Sequence, residues 1–407
     1  MKIEYKSNKL IQILMAVLIA SFYIFGENPL SSIILFIISM MIFLAMAVEY
    51  NFRIPFKIEN FHISIFIFTL YSFLSAIWAI RADYAVEKGL TLIKILVCMS
   101  ILYSYYSVRK NALEELFSTL LFACLTVVFY SYIFYGKNLI ISVILSGKRL
   151  DNSFSNVNTI GMVSGIMIII TVFKAIYNKS IWYLILDIPA IILILATGSR
   201  KALVIVFIGI FLLLLFKYLN RNIFKTIFWS ICISIIALLM IRWIMSLEAF
   251  AGIGQRMKGM IALFTGKGVI DSSSWLRYEY IKLGINIFKK NPIYGIGMGN
   301  ARIFVSSNYG RDAYLHNNYV ELLANGGILG FISYYCIYYI VIKNLIKYFK
   351  YRDKYTSVVI ILVIMQLVID YGNVSYYYKN TIFYFLIFFI CIRKMKERKI
   401  SEGYSFN

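Results

Sequence analysis

The chain has 407 residues, of which 61% are hydrophobic and 15% charged; its mean hydropathy is +0.78 and its formal net charge +22. A water-soluble domain has about half its residues apolar and about a quarter charged, so this composition excludes an ordinary soluble enzyme and points to lipid as the surrounding solvent. No concentrated basic patch or base-reading module accompanies the positive charge, so nucleic acid is excluded as a partner and anionic lipid headgroups are expected instead.

Apolar windows follow one another at 10–25, 30–48, 61–80, 89–106, 113–135, 157–176, 181–196, 202–219, 223–241, 319–342, 356–371 and 380–392. They predict an all-α, polytopic integral membrane protein with about 12 transmembrane helices. The windows at 181–196, 356–371 and 380–392 are short, and each can tilt little, extend into the interface or re-enter. Gly26-Glu27-Asn28-Pro29 is a poor small-residue cleavage context, so the first window is expected to be an uncleaved helix.

Basic residues cluster at 2–9, 53–57, 109–110, 174–179, 217–225, 343–354 and 393–399, alternating with weakly charged turns near Asn28-Pro29 and at 371–379. Positive charge is retained on the cytoplasmic side, so both termini are expected inside. Residues 1–407 form a single transmembrane domain, and 242–318 its one large extracytoplasmic loop, containing short helices. Tyrosine runs such as Tyr376-Tyr377-Tyr378 belong to interfacial belts and helix packing.

Cys98, Cys124, Cys232, Cys336 and Cys391 are scattered singly, and His62 and His316 share no metal-ligand spacing, so neither a disulfide frame nor a bound metal or other cofactor is expected.

The long loop is where chemistry is expected, because it carries ten basic residues, among them Arg277, in a chain whose other connections are short. From Trp275 to Lys289 it has helical periodicity: Leu276, Tyr280, Leu283 and Ile287 make one apolar face, predicting a helix at the membrane interface. Asn291-Pro292 ends it, and Gly295 to Asn300 gives a flexible close turn, without the strand and spacing of a nucleotide loop. Asn318, with Glu321 three residues later, is placed to cap the next helix, whose unpaired amides lie near His316 and favour phosphate oxygens and a neutral imidazole.

Further arginines stand at predicted outer helix mouths. Arg200 and Lys201 follow Thr197-Gly198-Ser199, Arg149 precedes Asn156 and Asn158, and Arg81 flanks the third window. Together with Arg277 they can meet a diphosphate, whose oxygens match the guanidinium fork.

The segments Thr197 to Leu203, Arg277 through Asn291-Pro292-Ile293-Tyr294-Gly295-Ile296-Gly297, and His316-Asn317-Asn318-Tyr319 with Gly326-Gly327-Ile328-Leu329-Gly330 resemble the O-antigen polymerase/ligase superfamily. Arg149 with Asn156, Asn158 and Gly161 is similar to that family's Arg…Asn-x-Asn pattern, with Val157 where the family often has Pro. The resemblance implies metal-independent, inverting glycosyl transfer from undecaprenyl-diphosphate-linked oligosaccharides on the outer face of a bacterial cytoplasmic membrane. It implies catalytic roles for His316, Arg277 and Arg200, and substrate binding by Arg149, Arg81, Asn156, Asn158, Lys201, Asn317 and Asn318. Polymerisation of repeat units into O-antigen or capsular polysaccharide is the leading expectation, with a flippase and a chain-length regulator as partners. Ligation to lipid A-core is the alternative, and a lipid-linked oligosaccharide flippase the alternative of a different class.

Overall fold

The computed structural model describes residues 8–26, 28–153, 155–218, 224, 228–229, 231–232, 235 and 272–404, and among them the chain is helical almost throughout. The helices are α1 (Lys9–Ile24), α2 (Pro29–Glu49), α3 (Asn60–Leu74), α4 (Ala82–Ser107), α5 (Ala112–Leu145), α6 (Val157–Asn178), α7 (Asp187–Thr197) and α8 (Arg200–Tyr218). They are followed by α9 (Ser272–Lys290), α10 (Ala301–Tyr309), α11 (Asn318–Lys347), α12 (Lys354–Asp370) and α13 (Lys379–Tyr404). The window at 223–241 falls largely outside the described residues, as do Arg242, Arg256, Lys258 and Lys267; the other eleven windows lie on helices.

Local chemistry sets the boundaries. Asn8, Asn28, Asn156, Asn317 and Asp353 each accept a backbone N–H of the helix they begin, and Pro29 occupies a first-turn position where no N–H is needed. The α11 cap is therefore Asn317, one residue before the expected Asn318: the Asn317 side chain accepts from Val320 N–H at 3.1 Å, leaving Asn318 inside the helix with its amide turned to other work.

Five helical stretches are long and apolar enough to cross a membrane among the described residues: Pro29–Glu49, Asn60–Ile77, Ala112–Leu145, Val157–Asn178 and Asn318–Lys347. That is fewer than the twelve windows predict, and length explains part of the difference. α12 has 17 residues, and at about 1.5 Å per residue it is shorter than the ~30 Å hydrocarbon core. Apolar surface is nevertheless turned outward, as on α2, where Ile33, Phe36, Ile37, Met40 and Leu44 are exposed while Leu35, Ile38 and Ile42 are buried. Such a face suits hydrocarbon rather than water. The bundle centre is filled by α6 and α13, whose Ile166, Met167, Phe385 and Ile387 are almost inaccessible.

A second, smaller core joins α9, α10 and the start of α11, with Tyr280, Ile287, Val305, Leu315 and Ala324 buried together and Leu276 and Leu283 packed against them. The apolar face read from Trp275 to Lys289 thus covers neighbouring protein. The glycine turn after α9 is held by contacts: Ile296 N–H donates to Ala324 O at 3.2 Å and Met298 N–H to Ser75 Oγ at 3.1 Å. It seats in a break in α11, where Gly327 takes φ 59° and ψ −161°, and the freed Ile328 N–H donates to Pro292 O at 2.8 Å. A Cβ on Gly295 would strike the Asn325 carbonyl, and one on Gly327 the Ile293 carbonyl, so both positions require glycine for conformation and for space.

At one end of the bundle ion pairs tie the helices together: Arg109 with Glu49, Arg393 with Glu59, and Arg398 with Asp353. The candidate site residues that line a cavity lie at the other end.

Candidate active site

A cavity of about 530 Å³ opens where α1 ends and where α2, α4, α6, α8 and α13 begin. Its walls bring together Lys201 from the first turn of α8, Arg277 from α9, His316 from the loop before α11, and Asn156 and Asn158 from the start of α6. These come from separate stretches of the chain, and five of the ten residues singled out in the sequence meet here.

α9 organises one wall through residues three apart. Ser274 accepts from the Arg200 guanidinium at 3.4 Å, Arg277 reaches the cavity one turn later, and Tyr280 one turn beyond stacks on His316 with ring centroids 5.9 Å apart. A spacing of three keeps all three side chains along one side of the helix. Arg200 itself does not line the cavity; its guanidinium reaches the helix that carries Arg277.

His316 is half-buried and occupies the left-handed region at φ 55°, a conformation that favours glycine. Its neighbours hold it there. Leu315 N–H donates to Glu321 Oε2 at 2.8 Å, Asn317 caps α11, and Tyr314 packs on the imidazole at 4.4 Å between ring centroids. Burial, then the Arg277 and Lys201 cations, push the imidazole down to about 3, so the ring is neutral and carries a lone pair at physiological pH.

Asn318 performs a different task from the capping expected of it. Its Oδ1 accepts from Ser375 and Tyr376 N–H, and its Nδ2 donates to Tyr335 Oη at 3.0 Å and to Asp370 Oδ2 at 3.4 Å. Asp370 also accepts from Gln366, Ser375 and Tyr335. This knot anchors the 371–378 turn, which contributes Asn373, Tyr377 and Tyr378 to the cavity, and the Lys201 ammonium grips the same turn at Gly372 O.

Arg149, Arg81, Asn317 and Asn318 do not line the cavity. Arg81 pairs with Asp83 at 2.6 Å and lies over Tyr84, while its backbone N–H donates to Asn300. Lining residues that the sequence reading did not place in a site include Lys88, Lys379, Tyr377, read there as an interfacial-belt residue, and the aromatic end of α1, Phe22, Tyr23 and Phe25. Their common signal is a polar or aromatic residue within a turn of a predicted outer helix end, which is also the pattern of an ordinary interface anchor. Among the described residues, no three His, Cys, Asp or Glu side chains converge as metal ligands would.

Fold and cavity together describe an all-α, multi-pass helical membrane protein with a basic, aromatic-lined chamber at one end of its bundle. Residues 185–335 match the family model described as O-antigen ligase, a superfamily linked to both O-antigen ligases and polymerases. The matched part contains Arg200, Lys201, Arg277, His316, Asn317 and Asn318; Arg81, Arg149, Asn156 and Asn158 precede it. No curated protein matches the chain.

Proposed function

We propose that this protein is a metal-independent membrane glycosyltransferase that moves a glycan from undecaprenyl diphosphate to an acceptor hydroxyl. The observation that carries the reading is the meeting of His316, Arg277 and Lys201 in one cavity. In this reading the cations hold the diphosphate, and His316 accepts the proton of the acceptor hydroxyl as its oxygen bonds to the anomeric carbon. The bond from that carbon to the phosphate oxygen breaks, and the diphosphate leaves with the electron pair; a single displacement inverts the anomeric centre. Arg200 supports Arg277 through Ser274. Asn156, Asn158 and the aromatic rings of the α1 end are suited to sugar hydroxyls and ring faces.

The family description backs ligation to lipid A-core more directly than it backs polymerisation, which led on the sequence alone, and ligation now stands first. Polymerisation uses the same donor chemistry and is the second reading. Purified protein supplied with defined lipid-linked repeats should leave them unchanged until lipid A-core is added. Chain growth without core would establish polymerisation instead, and movement of intact lipid-linked glycan across a bilayer with no bond exchange would overturn both in favour of a flippase.

The topology belongs to the same proposal: about twelve spans with both termini in the cytoplasm, the cavity and the 242–318 loop outside, and a flippase and chain-length regulator as partners in the polymerase case. The ion-paired basic residues Arg109, Arg393 and Arg398 at the far end support that orientation.

A further inference from the structure

α4 enters the cavity wall with Lys88, a residue to which no role has so far been attached. Its ammonium lies 3.8 Å from the centre of the Tyr377 ring, on the turn that Lys201 grips from α8. Its stem passes Gly299, where an added carbon would sit in ordinary contact, 3.4 Å from Lys88 Cγ and 3.5 Å from Cε. The glycine turn thus flanks the lysine stem at contact distance, and the Tyr377 ring is one of the groups that its ammonium meets. Lys88, Lys201 and Arg277 therefore reach one chamber from three helices.

The charge of the substrate changes during the proposed reaction. A glycan-bearing lipid diphosphate has both phosphates esterified, whereas the departing lipid diphosphate has a freed terminal oxygen and one further ionisable position. A cation that answers that additional charge strengthens its contact as the glycosyl bond breaks, which accelerates the step instead of merely tightening substrate binding. An ammonium on a flexible four-carbon stem suits this task, because it can leave a ring face and follow a developing point charge.

We propose that Lys88 is a phosphate ligand of the leaving group, moving from Tyr377 onto the terminal phosphate as the glycosyl bond opens. This rests on the glycosyl-transfer reading above.

The test uses the full chain in nanodiscs, with undecaprenyl diphosphate and inorganic pyrophosphate as binding probes and a defined lipid-linked repeat with its acceptor for kinetics. For Lys88→Gln, undecaprenyl diphosphate affinity should fall about tenfold, the scale of one lost charge-assisted contact, and kcat similarly, with donor KM within about twofold. Lys88→Arg should recover most of both, which also controls for folding. A loss shared by inorganic pyrophosphate shows that the diphosphate alone makes the contact, and a loss confined to undecaprenyl diphosphate shows that the polyprenyl chain must also be seated before the phosphate reaches Lys88. If the wild-type protein transfers glycan and Lys88→Gln binds undecaprenyl diphosphate equally well, the inference about Lys88 falls while the enzyme reading stands. If the wild type binds neither probe and transfers nothing, the enzyme reading falls and Lys88 with it.

Discussion

Tyr280 lies nearly parallel to His316, with 10° between the ring planes, and its helix delivers Arg277 to the cavity one turn earlier. In the proposed reaction the anion-facing and acceptor-facing sides of the site are therefore coupled through one helical turn. Tyr280→Leu, which keeps an apolar side chain in the small core, should lower kcat about 2- to 10-fold, the scale of a lost aromatic pair, and leave donor KM unchanged. Tyr280→Phe should retain activity. Steady-state kinetics on the reconstituted protein separate the two variants, and equal kcat in Leu and wild type would remove Tyr280 from the positioning of His316.

His316→Ala should cut transfer by about 10²- to 10⁴-fold while undecaprenyl diphosphate still binds. His316→Gln distinguishes positioning from proton acceptance, since it keeps a polar head without imidazole basicity. Undiminished transfer by the Ala variant would reject a catalytic role.

The pH profile carries its own expectation. With the His316 pKa lowered to about 3, the free enzyme keeps the ring neutral well below 6.5, so kcat/KM should show no acid limb near 6.5 from this residue. Arg277→Gln removes the larger of the two cationic causes and should move protonation upward, bringing a limb into view in whatever activity remains. The same shift makes acid destabilising: the unfolded chain takes the proton near 6.5 and the folded one only near 3, so the contribution to stability is intact above 6.5 and declines as pH falls through that window. A wild-type limb at 6.5 that vanishes in His316→Gln would show that burial and cations do not govern the ring.

Arg277→Lys keeps the charge and loses the planar fork, and kcat/KM should drop about 10²-fold. Wild-type product yield at equal membrane abundance would show that a point charge suffices there.

Asp370 is fully buried and receives donors from Asn318, Gln366, Ser375 and Tyr335. Asp370→Leu strands those groups and should destabilise the protein by about 3 kcal/mol. Asp370→Asn should recover little, because its amide presents N–H groups to partners that already donate. Thermal unfolding in detergent measures both, and an unchanged midpoint in the Leu variant would mean that the knot contributes nothing to stability.

Much of the architecture was legible because apolar runs of near-span length have few folds open to them. The register of Leu276, Tyr280, Leu283 and Ile287 was legible for a similar reason: a helical period persists whichever surface it meets, although the sequence did not say that protein covers it. Lys88 was passed over and Tyr377 assigned to an interfacial belt because their contact exists only once α4 and the 371–378 turn approach each other, 289 positions apart in the chain (377 minus 88). The shift from Asn318 to Asn317 as the cap follows from the left-handed backbone at His316, which reorients the residue after it and which no side-chain pattern announces.

The interlock between the glycine turn and the break at Gly327 bears on how such proteins can be recombined. A segment whose backbone exchanges hydrogen bonds with another helix is not an interchangeable loop: Pro292 O accepts from Ile328 N–H and Ala324 O from Ile296 N–H, one bond in each direction across the joint, and the two glycines make room for each other. A chimaera that imports α9 and its turn from a relative while keeping the resident α11 would join a plug to a foreign socket. Grafts bounded after Gly330 carry both halves, and inheritance would be expected to pass them on as one module.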